Sequence, residues 1–272
     1  MMTLVEFLQQ GETTGYDFVI EGLALDYENK LVKLNDGNDG VDFSLVNNPI
    51  YSKIGNIEVI SIFKRTPLGD NGKYDKDGNP MIYELKHKFD WKWDMSVEDA
   101  KKYIRRFYEV CSKLHKTFDT IVVMPSSSNL NNTIAKAISE TVNANNIVNT
   151  LITKELTEIV EETCIDRKSI NNDYKNEKER SNVYDAIIKS FRKMGEYFEA
   201  KYVPKKYLKY IKYLNVEDDT NIRPMIDDKD IVIVDDIISS GASIRQTIKL
   251  IKANFTPKNI TVITLLSPKM NK

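Results

Sequence analysis

The sequence predicts an α/β fold with a mainly parallel central sheet flanked by helices. Ile231–Val234 is a run of four β-branched residues and Phe118–Met124 is a second, largely apolar run. Such runs are typical of strands buried on both faces of a parallel sheet. Each is followed by a loop of small, hydroxyl-bearing residues and then by apolar residues at helical spacing. This strand–loop–helix unit, present twice, predicts the fold class.

The amino-acid composition argues against several classes of protein. The chain has 272 residues, with 39 Lys+Arg against 40 Asp+Glu, so its formal net charge of −1 provides no general attraction for nucleic acid. Two isolated cysteines, Cys111 and Cys164, are too few for a disulfide framework. Met1–Gln10 lacks the basic start of a secretory signal, and no apolar run has transmembrane length. We therefore expect a cytoplasmic protein without membrane contacts.

The first 80 residues predict a β-rich cap. After a short helix at Thr3–Gln10, the segments Tyr16–Ile20, Leu31–Leu34 and Ile57–Phe63 are predicted strands separated by turn-rich stretches. Residues 74–78 are predicted to be the turn of a hairpin that joins Ile60–Thr66 to Met81–Leu85, although the pattern of Met81–Lys88 fits either a strand or a short helix. The alternating acids of this turn also fit a calcium loop, but the flanking helices and the final Glu of such a loop are missing.

The middle of the chain predicts mainly helices. Ser96 and Asp99 form a capping box for an amphipathic helix that reaches about His115. Residues 86–93 interleave lysines with aromatics, as in a single-strand nucleic-acid platform, but core aromatics between solvated lysines are favoured at neutral net charge. Farther on, the sequence predicts a strand, a helix, a solvated charged loop and two more helices; these are at Ile147–Ile152, Lys154–Cys164, Asp166–Asn182, Val183–Phe198 and from Pro204. A final strand is predicted at Ile260–Leu266.

The loop after the strand Ile231–Val234 has the chemistry of a sugar-phosphate site. Asp235 and Asp236 can accept hydrogen bonds from two neighbouring sugar hydroxyls. The small residues that follow lead into a helix N-terminus, where backbone N–H groups favour a phosphate. Together they fit a ribose 5-phosphate. An ordinary turn with a serine N-cap is the simpler alternative, but it needs one hydroxyl and no pair of acids. The small residues are Ser239, Ser240, Gly241, Ala242 and Ser243.

The loop after Phe118–Met124 is a second candidate anion site. It reads Pro125-Ser126-Ser127-Ser128, and the helix that follows carries Ile134 and Ile138. Hydroxyls and backbone N–H groups beside the first loop would suit a pyrophosphate. Taken alone, this loop could simply cap a helix.

Ile231–Ser243 resembles the motif with which type I phosphoribosyltransferases bind 5-phosphoribosyl-1-pyrophosphate (PRPP). That motif has four apolar residues, two acids, an apolar residue, two variable positions and then Thr/Ser-Gly-x-Thr/Ser, and every position matches. The resemblance implies a Rossmann-like type I phosphoribosyltransferase fold. It further implies that residues 1–80 form the β-rich cap and residues 81–272 the phosphoribosyltransferase domain, with a helical insert at about 166–214.

The resemblance also implies roles for particular residues. Asp235 and Asp236 would be both the catalytic and the ribose-binding acids, residues 239–243 the 5-phosphate loop and residues 125–128 the pyrophosphate loop. Such enzymes close a mobile loop with basic side chains over the site, and the candidates here are Arg167, Lys168 and Arg180. Mg²⁺ would be carried by PRPP, without direct protein ligands.

The implied activity is transfer of the 5-phosphoribosyl group from PRPP to a nitrogenous, nucleobase-type acceptor with release of pyrophosphate. The order of features is similar to the competence-associated ComF group, although the Arg-Gly-x-Asn-Gln segment of that group is replaced by Ser128–Asn132. Ser239 stands where enzymes for 6-oxopurines have an aspartate base. A non-catalytic PRPP- or nucleotide-binding regulator and a ComF-like nucleic-acid-associated protein are therefore the alternatives. The expected partners are PRPP and a small acceptor, with nucleic acid disfavoured and a homodimer left open.

Overall fold

The predicted α/β class is confirmed by the computed structural model, which describes residues 21–37, 39–66, 79–86, 93–126, 128–217, 220–238 and 241–268. Within these ranges ten strands form one mixed sheet, and its central part is parallel. The parallel strands lie side by side in the order β5 (Ile57–Arg65), β12 (Asn259–Leu266), β11 (Asp230–Ile237), β7 (Thr120–Val123) and β8 (Asn146–Val148).

The remaining strands of this sheet extend it beyond β5. They are β1 (Gly22–Asp26), β2 (Leu31–Asn35), β3 (Val41–Asp42), β4 (Ile50–Ile54) and β6 (Asp94–Met95). The spatial order is β6-β2-β1-β3-β5, with β4 also paired to β5. The pairs β1–β2, β1–β3, β3–β5 and β4–β5 are antiparallel, and short turns join the strands of the first and last of these pairs.

Helices pack against both faces of the sheet. They are α1 (Asn79–Leu85), α2 (Val97–Cys111), α3 (Leu130–Val142), α4 (Thr157–Thr163), α5 (Arg167–Asp173), α6 (Glu177–Phe191), α7 (Arg223–Ile226) and α8 (Ala242–Asn254). The predicted helix start is confirmed with Ser96 as the N-cap, since its side chain accepts a hydrogen bond from the Asp99 backbone N–H. None of the helices in the described ranges combines the length and the apolar character that a membrane span requires.

The sheet separates two apolar cores because neighbouring residues of a strand point to opposite faces. On β11, Val232 and Val234 face one core, whereas Ile231 and Ile233 face the other. The first core is covered by α2 and α3, and the second by α8 and the chain between α4 and β10 (Leu214–Val216). All four of these side chains are almost fully buried, which explains the uninterrupted apolar run in the sequence.

The predicted cap is continuous with the central sheet. The predicted strands Leu31–Leu34 and Ile57–Phe63 are confirmed as β2 and β5, and β5 pairs in parallel with β12, with Ile60 opposite Ile263. The segments Thr3–Gln10 and Tyr16–Ile20 lie outside the described residues. The division into a cap (1–80) and a phosphoribosyltransferase domain (81–272) stays a prediction.

The predicted hairpin between Ile60–Thr66 and Met81–Leu85 is wrong, whereas the short-helix alternative for Met81–Leu85 is confirmed. Met81–Leu85 lies in α1, and Met81 and Ile82 are buried in the first core. Both edges of β5 are already paired, one to β12 and the other to β3 and β4. A third partner therefore has no free edge to join. The predicted turn at 74–78 lies outside the described residues.

The predicted insert contains more helix than its many charged residues suggest. Asp166–Asn182 was predicted to be a solvated loop, but it forms α5 and the start of α6, so that prediction is wrong. Asp166 and Asn176 cap these helices with their side-chain oxygens, and Ile170 anchors α5 in the second core. The insert then continues through two 3₁₀ helices, Ala200–Tyr202 and Lys205–Tyr210.

Two predicted elements next to the insert have different bounds. The single strand predicted at Ile147–Ile152 is divided between β8 and β9 (Ile152–Lys154), and β9 pairs with β10 in a separate antiparallel ribbon. The helix predicted at Lys154–Cys164 is confined to α4. The ribbon holds the end of the insert close to the start of α8, where the candidate phosphate loop lies.

Candidate functional site

The two predicted anion loops lie side by side at one edge of the sheet. β7 and β11 are neighbouring parallel strands with Val123 opposite Val234, and the Met124 N–H donates to the Val234 carbonyl at 2.9 Å. Their following loops therefore leave the sheet at the same edge. The structure thus brings Pro125–Ser128 next to Asp235 and Asp236, although more than a hundred residues separate them along the chain. Ser127, Ser239 and Ser240 lie outside the described residues.

Asp235 and Asp236 have different surroundings at this edge of the sheet. Asp236 is almost fully buried and forms an ion pair with Lys86, which immediately follows α1. Its N–H donates to Asp235 Oδ1 at 2.9 Å. Burial raises the pKa of Asp235 well above its ordinary value, and the neighbouring Asp236 charge raises it further. A ligand that donates hydrogen bonds or brings positive charge would therefore be needed to favour the ionised form of Asp235.

Asn131 links the two loops. It lies in the first turn of α3 and is 2% exposed. Its Nδ2 donates to the Met124 carbonyl at 3.0 Å and to Asp235 Oδ1 at 3.1 Å, so one amide fixes both the end of β7 and the first acid. Its Oδ1 is buried without a hydrogen-bond partner among the described residues. This residue was noted in the sequence only as part of a departure from the ComF pattern.

The candidate phosphate loop has the expected backbone at its described end. Gly241 has φ of +71° and directly precedes α8, so the N–H groups of the first helical turn follow a left-handed turn. A Cβ on Gly241 would lie 3.0 Å from Arg245 Nη1, which places that guanidinium against the loop. Ser243 Oγ lies 2.7 Å from the hydroxyl of Tyr213, a residue of the insert.

The candidate pyrophosphate loop opens into a cleft of about 760 Å³. Within the loop, the Ser128 N–H donates to Ser126 Oγ at 3.3 Å, and the Leu130 N–H donates to Ser128 Oγ at 3.4 Å. These distances are long, so both hydroxyls are only weakly engaged. The cleft is bordered by this loop, by the turn before β9 and by residues 195–199, and polar side chains predominate on its walls; they include Asn132, Asn149, Thr150, Thr153, Lys154, Glu196, Glu199 and Glu217.

The three candidate lid residues lie on α5 and α6. The Arg167 guanidinium lies 5.8 Å from the centre of the Tyr184 ring, and Arg180 Nη1 donates to the Lys175 carbonyl at 3.2 Å. Lys168 is exposed on α5. These three residues are not among those that border the cleft. Their role over the site stays a prediction.

Sequence reasoning missed the side chains that surround the acids and the phosphate loop. Lys86, Asn131, Tyr213 and Arg245 reach the site from four different parts of the chain. Only Arg245 lies close enough to the motif to have been suspected, one helical turn after Gly241. Within the described residues, no group of three or more His, Cys, Asp or Glu side chains could hold a metal ion directly.

Comparison with known proteins finds a family match in the second half of the chain. Residues 148–271 match the model of the phosphoribosyl transferase domain. One similar solved structure is that of adenine phosphoribosyl transferase from Trypanosoma brucei, in complex with AMP, pyrophosphate and ribose-5-phosphate. The two chains are 9% identical, and the match covers 91% of this chain and 87% of that chain with a TM-score of 0.33. No curated protein matches the sequence.

Proposed function

We propose that this chain, whose residues 148–271 match the phosphoribosyl transferase domain model, binds PRPP with Mg²⁺ and transfers the 5-phosphoribosyl group to a nitrogenous, nucleobase-type acceptor. The observation that carries the proposal is the pairing of β7 with β11. It sets an acid pair and two candidate anion loops at one edge of the sheet. A ligand with a phosphate, two hydroxyls and a pyrophosphate has complementary groups in this order.

Each part of PRPP has a proposed contact. The 5-phosphate would bind the turn at Gly241 and the first N–H groups of α8, with the Arg245 guanidinium beside it. The ribose hydroxyls would donate to Asp235 and Asp236. The pyrophosphate would bind residues 125–128, where two weakly engaged serine hydroxyls are free to reorient towards it.

The reaction would break the bond between C1 and the pyrophosphate oxygen and form a bond from C1 to the acceptor nitrogen. The electron pair of the broken bond leaves with pyrophosphate, and positive charge develops on the ribose ring. An ionised Asp235 near the ribose would stabilise that charge, and the fixed loops would hold the leaving group in line. Mg²⁺ carried by PRPP would neutralise the charge of the leaving pyrophosphate.

The cleft beside Ser126 and Ser128 supports the acceptor part of the proposal. Its volume of about 760 Å³ lies within the range of roughly 300–1,000 Å³ that is typical of small-molecule sites. Tyr197 on its wall is 50% exposed and could stack on a planar acceptor. The acceptor would therefore approach from the side of the pyrophosphate loop.

The test is calorimetric titration with Mg-PRPP. We expect the wild type to bind, and we expect Asp235→Asn and Asp236→Asn each to weaken binding at least about tenfold, because each removes a charged acceptor. Asp230→Asn is the matched control, since Asp230 lies at the opposite end of the same strand and pairs with Lys258 and Asn259. It should leave the affinity unchanged. A wild type that does not bind, or binding that both site variants leave intact, would refute the proposal.

The second candidate is a regulator that binds PRPP without turning it over. Ser239 in the motif favours this candidate, because a serine cannot act as a general base near neutral pH. Pyrophosphate release with a panel of nucleobases separates the two. Release with any one base establishes transfer. Binding of Mg-PRPP with no release for any base favours the regulator. A ComF-like role would require single-strand DNA binding that falls steeply with salt.

A further inference from the structure

The end of the insert is fastened to α8 at its first turns. Gln246 Oε1 accepts hydrogen bonds from the backbone N–H groups of Tyr213 at 3.2 Å and Leu214 at 3.1 Å. Its Nε2 donates to the Ile211 carbonyl at 3.2 Å. One side chain therefore satisfies three backbone groups of residues 211–214. Because Gln246 is only three residues after Ser243, this fixes the insert directly beside the phosphate loop.

Tyr213 is the side chain that this attachment places in the site. Its ring is 4% exposed and stacks on Phe198, with ring centroids 4.7 Å apart and an interplanar angle of 24°. Phe198 is itself buried and contacts Phe191 at the end of α6. The ring has little freedom to move, so its hydroxyl stays 2.7 Å from Ser243 Oγ.

The direction of this hydrogen bond depends on the ligand. Ser243 has one hydroxyl hydrogen, and the motif makes it the last side chain of the phosphate loop. If that hydrogen is donated to a phosphate oxygen, Ser243 Oγ can only accept, and the Tyr213 hydroxyl must donate to it. Burial raises the pKa of Tyr213, so the hydroxyl keeps its proton. Such a chain of two hydroxyls polarises the bond to the phosphate.

We propose that Tyr213 is a positioning residue of the 5-phosphate site, which orients the Ser243 hydroxyl towards the phosphate and makes the helical insert part of the binding site. This inference rests on the proposed function. It differs from the predicted charged lid, because Tyr213 is buried, uncharged and already in contact with the loop. The insert would thus act on the phosphate through a hydroxyl and not through the basic side chains of α5 and α6.

The test compares ribose 5-phosphate with pyrophosphate as calorimetric ligands. Tyr213→Phe keeps the ring on Phe198 and removes only the hydroxyl. We expect it to weaken ribose 5-phosphate binding about 3- to 10-fold, the range for one neutral hydrogen bond, and to leave pyrophosphate binding unchanged. Ser243→Ala should weaken ribose 5-phosphate binding at least as much. The double variant should match Ser243→Ala, because Tyr213 acts through that serine.

Tyr210→Phe is the matched control. Tyr210 is equally buried, but its hydroxyl donates to Asp173 Oδ2 at 2.7 Å, and its variant should bind both ligands as the wild type does. The inference is overturned if Tyr213→Phe binds ribose 5-phosphate normally, loses both ligands equally, or adds its full effect to that of Ser243→Ala. A wild type that binds neither ligand instead refutes the proposed function itself, so the two failures are distinct.

Discussion

Gly241 is a site residue that the sequence motif identified. The motif predicted a loop of small residues before a helix, and the structure places Gly241 of that loop in the left-handed region, where a side chain is strained. By contrast, Lys86, Asn131 and Tyr213 could not be predicted. Each reaches the acids or the loop across at least 30 residues of sequence, and nothing in their local sequence distinguishes them from surface or core residues.

Gly241→Ala should destabilise the protein by about 1 to 2 kcal/mol, the usual cost of a left-handed non-glycine residue. The added Cβ would also approach Arg245 Nη1 at 3.0 Å and Ile54 Cδ1 at 3.4 Å, so the guanidinium must shift. Gly195→Ala is the control, because its φ is not positive and no atom lies within 4 Å of the added Cβ. In urea denaturation, the control should change the free energy of unfolding by less than about 0.5 kcal/mol. Equal effects of the two changes would contradict the strain at Gly241.

At the scale of elements, the sequence predicted helices and strands correctly where all residues of a segment are buried, and incorrectly where only some of them are. The parallel strands β7, β11 and β12 were predicted because they are buried on both faces. The short segment Met81–Leu85 was assigned to a hairpin, because a few alternating residues fit a strand and a helix equally well. The charged segment after Cys164 became helical, since its caps and a few buried apolar side chains outweigh its solvated outer face.

Helix α1 carries a carboxyl that should make stability depend on pH. Glu84 Oε2 is buried without a hydrogen-bond partner among the described residues. Burial, and then the Asp94 charge, raises the pKa of Glu84 from 4.5 to about 7. The folded state therefore holds this proton more tightly than the unfolded state. Its contribution to stability is complete below about pH 4.5 and is lost as the pH rises towards and through 7.

Glu84→Gln should remove this loss. Above pH 7 we expect the variant to be more stable than the wild type by about 2 to 3 kcal/mol, the scale set by the pKa shift, and to show a flatter profile between pH 5 and about 8. Glu161→Gln, at an exposed position of α4, should follow the wild-type profile. Thermal unfolding of the wild type and of both variants across this pH range measures these stability profiles. A wild-type and a Glu84→Gln profile that stay parallel would disprove the role of Glu84.

The whole molecule depends on the strand in its middle. β12 pairs with β5 on one side and with β11 on the other, and its side chains alternate between the two cores, with Ile263 in the first and Val262 in the second. The sequence predicted a strand at Ile260–Leu266. It did not predict that this strand lies between β5 and β11, because the order of strands in a sheet depends on the crossover connections. For the same reason, β5 was assigned to the cap.

Ile263→Ala should therefore cost about 2 to 5 kcal/mol of the free energy of unfolding, the usual range when a fully buried isoleucine is shortened. Ile147→Ala provides the same chemical change on β8, a strand with one described partner, where Ile147 is 39% exposed. It should cost less than about 1 kcal/mol. Urea denaturation followed by circular dichroism gives both values. Similar costs at the two positions would show that β12 is not central to stability.

The position of β12 also constrains how the protein is made. Synthesis proceeds from the N-terminus, so β5, β7 and β11 leave the ribosome before the strand that lies between β5 and β11. Until residues 259–266 emerge, each of those two strands presents an apolar edge with unpaired backbone groups, a surface that promotes association between chains. The nascent protein thus passes through a stage in which no strand joins β5 to β11, and β12, the last of the described strands to be translated, closes the sheet between them.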